Sequence, residues 1–210
     1  MTTPGRRFND AVTRFWTVAA PVYDLAFLQQ WVYRPPQDAV ITQLRAHGAR
    51  RIADIACGTG ILAFRIQAEL DPDEVYGVDM SDGMLDQAKA RSAVVRWRKA
   101  PAEQLPFADG ALDAVVSTSA FHFFDQPAAM REFHRVLAPG GLLAVATISP
   151  PLPRFLAGMS GSSSPAHNPS RDEMRMLFTD AGFTITDQRR PDRPLWTRGV
   201  WDLLTIGTKP

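Results

Sequence analysis

The residues best placed to do chemistry fall in one short run, Asp54-Ile55-Ala56-Cys57-Gly58-Thr59-Gly60. Its glycines let the backbone turn sharply and come close to a ligand. A helix starting after Gly60 would aim unpaired N–H groups at that ligand. Downstream, Asp79 stands where an acid accepts hydrogen bonds from a ribose diol. Gly58-Thr59-Gly60-Ile61-Leu62-Ala63 also fits the dinucleotide pattern G-x-G-x-x-G/A, which discriminates weakly by itself. Asp54 separates the two readings. A carboxylate beside the loop repels a pyrophosphate and suits a cation without phosphate, such as S-adenosylmethionine with its sulfonium and ammonium groups. A nicotinamide dinucleotide, and with it a reductase, would set two phosphates near Asp54. A purely structural use of Asp54, tying down neighbouring backbone, stays open.

These residues need a scaffold, and the flanking sequence alternates between strand and helix patterns. Strands are predicted at 51–56, 74–79, 94–98, 113–117 and 142–148, with helices at 60–70, 82–91 and 127–137 between them. That alternation implies a Rossmann-like α/β fold, a mostly parallel sheet with helices on both faces. Pro139-Gly140-Gly141 reads as a tight turn. Residues 150–169, rich in Pro, Ser and Gly, read as a long loop of the kind that gates a site. Ser170 caps a further helix with Glu173 at the capping-box position, and Gly182 ends it. Strands at 183–188 and 195–209, joined by a short link, close the sheet as an antiparallel hairpin.

Ahead of this unit (49–210), residues 1–48 read as an N-terminal helical lid. Phe8, Val12, Phe15, Trp16 and Ala19 follow helical spacing, a second helix spans 22–32, and Pro36 opens a third with Val40, Ile41 and Leu44 inward. The aromatic residues Phe15, Trp16, Tyr23, Phe27, Trp31 and Tyr33 serve either as core or as a cover for an apolar or aromatic acceptor.

Composition removes several classes. The 210 residues carry 23 Lys+Arg against 22 Asp+Glu, a net charge of +1, without the basic excess of a nucleic-acid binder. The clusters at 89–99 and 189–193 read as solvated surface. One cysteine, Cys57, excludes an intrachain disulfide, and the four histidines are scattered, so no metal site is expected. The longest purely apolar run, 142–146, is far short of the ~20 residues of a membrane span. Arg6-Arg7 is followed by Asp10 and Arg14 rather than an apolar stretch, so the chain reads as cytoplasmic, without a signal peptide.

Four blocks in order, DIACGTG (54–60), GVDMSDGML (77–85), AEQLPFADGALDAVVS (102–117) and REFHRVLAPGGLLAV (131–145), resemble the class I S-adenosylmethionine-dependent methyltransferases. Within them the chain is most similar to the type 11 and ubiquinone/menaquinone C-methyltransferase groups of small-molecule enzymes. The resemblance implies a seven-stranded sheet whose last strand is antiparallel, S-adenosylmethionine as cofactor with S-adenosylhomocysteine as product, and a small-molecule acceptor. It implies Asp54 near the methionine ammonium, and the backbone of Ala56, Gly58 and Gly60 under the cofactor. It also implies Asp79 on the ribose, Met80 on the adenine face, Ala102 and Glu103 at the adenine edge, and Ser117 beside the methionine end. An N-terminal Tyr-Asp pair often lies over the cofactor in this family, which Tyr23-Asp24 matches. His122 follows the fourth strand, where acceptors bind, and is the candidate base; packing between Phe121 and Phe123 is its other reading. Two positions depart from the pattern. Pro101 replaces an Asp or Asn that bonds the adenine amino group, and residues 120–124 read Ala-Phe-His-Phe-Phe where the quinone enzymes carry Gly-x-Arg-Asn. A non-catalytic cofactor-binding protein on the same scaffold is the alternative.

Overall fold

The computed structural model describes residues 29–149, 167–194, 197 and 201–210. A single π-helical turn, Gln29–Tyr33, leads into helix α1 (Arg34–His47), where Pro35 and Pro36 occupy the first turn and need no N–H partner. Gly48, at φ 72°, ends α1 by returning its N–H to Leu44 O. Then follow β1 (Arg51–Ile55), α2 (Ile61–Leu70), β2 (Glu74–Asp79), α3 (Asp82–Arg91), β3 (Arg96–Lys99) and β4 (Leu112–Thr118). A 3-10 turn (Phe121–Phe123) precedes α4 (Gln126–Val136), β5 (Leu137–Ile148), α5 (Arg171–Asp180), β6 (Thr184–Arg189) and β7 (Asp202–Thr208).

The seven strands lie in the order β3-β2-β1-β4-β5-β7-β6. Only the β5–β7 and β6–β7 pairings are antiparallel, so β7 alone runs against the rest, as the resemblance implied. The inner strands β1, β4 and β5 are apolar on both pleats because each face is covered there, whereas the edge strands β3 and β6 are polar and more exposed. Ala53 and Ile55 join Phe121, Phe133 and Phe178 in one core, while Ile52 joins Val40, Ile41, Leu44, Leu62 and Ile66 in the other. Helix α1 is therefore a full member of the second core: Val40 and Leu44 are 0% exposed. Burying one such side chain is worth roughly 1.5–3 kcal/mol.

Several local expectations are corrected. Pro139-Gly140-Gly141 is not a turn between elements but an irregularity inside β5. Leu112 pairs with Leu137 and Ala114 next pairs with Leu142, so β5 bulges at the left-handed Gly140. β6 ends at Arg189 and β7 begins at Asp202, later than the expected start at 195. Arg193, between them in the chain, is not solvated. It is buried at 4% exposure in an ion pair with Asp202, and its guanidinium donates to the carbonyls of Trp31 (2.9 Å) and Val32 (2.8 Å). The Ser170–Glu173 capping box forms as read. Residues 1–28 and 150–166 lie outside the described residues, and with them the first helix expected of the lid, most of the second, and most of the serine-rich loop.

Candidate active site

The ligand cleft opens at the carboxyl ends of β1, β2 and β4, where the sheet reverses its strand order. Its cavity volume is about 140 Å³, and it is open to solvent on one side. β1 runs into the glycine loop through Ala56 (φ 54°), Gly58 (φ 55°) and Gly60 (φ 79°), three left-handed residues within five positions. Ala56 is not a glycine, and its conformation costs of order 1–3 kcal/mol. The loop is held by its own backbone. Cys57 N–H donates to Val78 O (3.1 Å) and Gly60 N–H to Cys57 O (2.9 Å).

Asp79 ends β2 on the cleft wall and shapes the loop as well. Its Oδ2 accepts the Gly58 N–H at 2.9 Å and its Oδ1 the Ser81 N–H at 2.8 Å. Burial raises its pKa, and these backbone N–H groups work against that rise. Ser81 then caps α3 by accepting the Met84 N–H. Met80, Met84, Ala100, Pro101, Ala102 and Glu103 continue the same wall. Glu103 Oε1 accepts the Asp125 N–H (2.9 Å), which ties the 100–105 segment to the start of α4. Arg135 secures the next stretch by donating to Phe107 O and Leu105 O while paired with Glu132 and Asp109.

Asp54 lies behind the wall, not on it. It is 2% exposed and shares a pleat with Ile52, facing α2. The Ala63 backbone N–H approaches its carboxylate, but buried Oδ2 has no hydrogen-bond partner. Burial pushes its pKa well up and the nearby Asp79 charge adds to that; the Ala63 contact offsets part. A buried carboxylate oxygen left bare costs free energy until a positive charge approaches. S-adenosylmethionine, a cation that carries a ribose, is compatible with a cleft that has Asp79 on its wall and Asp54 behind its loop.

The other end of the cleft is formed by Tyr33, Thr118, Ser119, Ala120, Phe123 and Phe124. Ser119 is left-handed at φ 59°, pinned by its N–H to Ala146 O at 2.8 Å. Sequence reasoning missed Thr118, Ser119 and the Phe123–Phe124 pair as site residues. Their signal was position: they follow β4 directly, at the strand ends where ligands bind in open α/β sheets.

Of the residues expected to touch ligand, Ala56, Gly58, Asp79, Met80, Ala102 and Glu103 line the cleft, whereas Asp54, Gly60, Ser117 and His122 do not. Gly60 instead opens α2, at a position where a Cβ would collide with Trp97 and crowd Ala88. Ser117 is fully buried inside the sheet with its hydroxyl unpartnered. His122 is corrected as the base. The 3-10 turn tucks it beneath Phe123, ring centroids 4.0 Å apart, and gives Phe123 the cleft side. Its Nδ1 is buried without a partner, and burial lowers its pKa to about 4, so it is neutral at physiological pH. The His167 N–H bonds to its carbonyl, and Gln126 bonds in turn to His167 O, closing that side. Cys57 is buried with its thiol pKa pushed well up, first by burial and then by Asp54 and Asp79. Tyr23 lies outside the described residues. Among the described residues no His/Cys/Asp/Glu cluster suits a metal ion, and no helix is long and apolar enough to cross a membrane.

The Methyltransferase domain family matches residues 53–145, a span that holds the loop, Asp79 and the residues after β4. A demethylmenaquinone methyltransferase of Thermus thermophilus is 34% identical over 166 residues, covering 65% of this chain and 75% of that protein. The chain belongs to the class I S-adenosylmethionine-dependent methyltransferases. Its cofactor is S-adenosylmethionine, and the dinucleotide reading of the loop falls. The methyltransferase is also 37% identical over 147 residues to a ubiquinone/menaquinone biosynthesis C-methyltransferase of Syntrophotalea carbinolica, covering 67% of this chain but 62% of that relative's length. In fold it is similar to a methyltransferase solved in complex with the Trm112 activator of Haloferax volcanii (TM-score 0.76, 20% identity), covering 93% of this chain and 97% of that one.

Proposed function

We propose that the methyltransferase transfers its methyl group to a small, uncharged acceptor with an apolar or aromatic body, and that a reduced quinone ring is one member of that class. The observation that carries this is the wall beyond Asp79. Tyr33, Ala120, Phe123 and Phe124 present rings and a methyl group, with Thr118 and Ser119 as the polar residues among them, and no lysine or arginine is on the described wall. An aromatic ring stacks against such surfaces, while a hydroxyl or carbonyl finds Thr118 or Ser119. The names of the relatives above agree with the class.

The bound cofactor supplies an already activated methyl on a sulfonium. The chain's work is placement. Asp79 holds the ribose hydroxyls, Met80 packs on the adenine face, Ala102 and Glu103 border the adenine edge, and Asp54 balances the methionine ammonium through the loop. Ser117 supports the methionine end from inside the sheet. Holding two reactants in line contributes roughly 7–11 kcal/mol of barrier reduction, enough to make a dedicated base secondary. His122 acts through packing: it backs Phe123, which faces the acceptor.

The test is methyl release from labelled S-adenosylmethionine against a panel of phenols, quinols, aromatic amines and charged aliphatic amines or acids. Sustained turnover confined to the uncharged ring compounds supports the reading. Turnover confined to charged aliphatic acceptors would overturn it, and cofactor binding without turnover on any would favour a non-catalytic role.

A further inference from the structure

We infer that Trp97 is a positioning residue for the cofactor, a wedge that sets the glycine loop from behind; the inference rests on the cofactor site described above. Trp97 belongs to the edge strand β3 and packs against the core that α2 covers. Its indole N–H donates to Ser92 O at 2.9 Å, which fixes one end of the ring. The other end fills a slot where two glycines meet. A Cβ on Gly77 would stand 2.2 Å from Trp97 Cζ3, and a Cβ on Gly60 2.4 Å from Cη2. Both separations are far below any real contact. Gly77 is absent from the left-handed glycines, so its backbone does not call for glycine. It is small because the ring is there.

The slot joins the cofactor loop to its support. Cys57 Sγ stands 3.1 Å from the same Cβ position at Gly77, and Ala88 of α3 stands 3.0 Å from that at Gly60. Arg91 adds a polar tie from α3, its Nε–H donating to Thr59 O at 2.9 Å. One side of the loop is thus packed by β3 and α3, and the other side offers Ala56 and Gly58 to the cleft. A run of left-handed residues keeps its shape only where its surroundings over-determine it. Trp97 supplies that constraint without touching the cleft.

The claim is tested by a steric cycle of Gly77→Ala, Trp97→Leu and the double variant. The readouts are the S-adenosylhomocysteine dissociation constant by calorimetry, KM and kcat for methyl transfer, and the denaturant midpoint. Gly77→Ala is expected to weaken binding about tenfold or more, and Trp97→Leu to raise KM for the cofactor about three- to tenfold with kcat nearly unchanged. In the double variant the alanine methyl enters space the ring has left, so affinity returns to the Trp97→Leu level. Additive losses in the double variant would overturn the inference. So would lower midpoints with unchanged affinity of the folded protein, which would make Trp97 structural only. If Trp97→Leu does not fold, Trp97→Phe with Gly77→Ala gives the same cycle in a milder form. Failure of the wild-type protein to bind S-adenosylhomocysteine would sink the cofactor reading instead, a result separate from any of these.

Discussion

Asp79→Ala should remove the ribose from the site, and the size of the loss follows from the carboxylate's surroundings. The Gly58 and Ser81 N–H groups bond one to each oxygen, and the Met80 backbone N–H also acts on the carboxylate. A carboxylate offers about four acceptor sites, so capacity remains for a diol on the cleft side. Hydrogen bonds to a charged acceptor contribute about 1.5–3 kcal/mol each, so losing two weakens S-adenosylhomocysteine about 10²–10⁴-fold. The same substitution also orphans the Gly58 and Ser81 donors and loosens the loop, which would weaken binding without any ribose contact. A ligand cycle separates the two effects. The 2′-deoxy analogue of S-adenosylhomocysteine should bind wild type about 10- to 100-fold more weakly than the parent, as one lost charged hydrogen bond requires. It should bind Asp79→Ala no more weakly than the parent does. Isothermal titration measures all four affinities. If the deoxy penalty survives intact in Asp79→Ala, the carboxylate shapes the loop but does not hold the diol, and the assignment is wrong.

Arg193→Ala leaves Asp202 buried and unpaired and should cost about 3–5 kcal/mol, a fall in melting temperature of roughly 6–20 °C by calorimetry; Arg193→Met with Asp202→Leu should recover most of it. His122 has a folded pKa of about 4 against 6.5 unfolded. Below pH 6.5 the unfolded chain takes up the proton first, so stability falls as pH drops from about 7 to 4, by up to about 3 kcal/mol. Denaturant midpoints for His122→Gln should lack that slope. Asp54 runs the other way: its pKa is raised in the folded state, so the ligand-free protein loses stability as pH rises from the unfolded value of 3.8 through the folded one. Asp54→Asn should flatten that fall, and cofactor binding by wild type alone should release a proton, read as a binding enthalpy that depends on the buffer.

What was legible in the sequence was what neighbouring residues decide. Strand and helix alternation gave the sheet, and Ser170 with Glu173 gave a cap that closes within three residues. The errors lie where the deciding partner is distant. Arg193 sits in a basic cluster and reads as solvated, yet its partners are Asp202 and two carbonyls some 160 residues earlier in the chain. Pro139-Gly140-Gly141 has every mark of a turn, but pairing with β4 absorbs it as a bulge. For His122 the position after β4 leaves both a base and a packed side chain open, and a single 3-10 turn puts Phe123 rather than His122 on the cleft wall. For Asp54 the information was present and unused. Strand parity puts it on the pleat of Ile52, opposite Ile55, and Ile55 is the one on the cleft wall.

That parity changes how the loop discriminates. A carboxylate on the wall would bond a ligand directly and would tolerate water in an empty cleft. Behind the wall, Asp54 is buried from bulk solvent, and its Oδ2, without a protein partner, lies near Asp79. The same end of the sheet holds two of the three left-handed non-glycine residues described, Ala56 and Ser119, both on the cleft wall. Strain and a buried carboxyl group with a raised pKa are thus gathered at one end of the sheet, while the opposite end of β1 is settled by Arg51 paired with Asp113. A ligand that brings positive charge to the loop favours ionisation of that group; one that brings phosphate opposes it. On the proposed placement of the cofactor, selectivity for a cationic nucleoside would then come from the energy of the unfilled site as much as from contacts in the filled one.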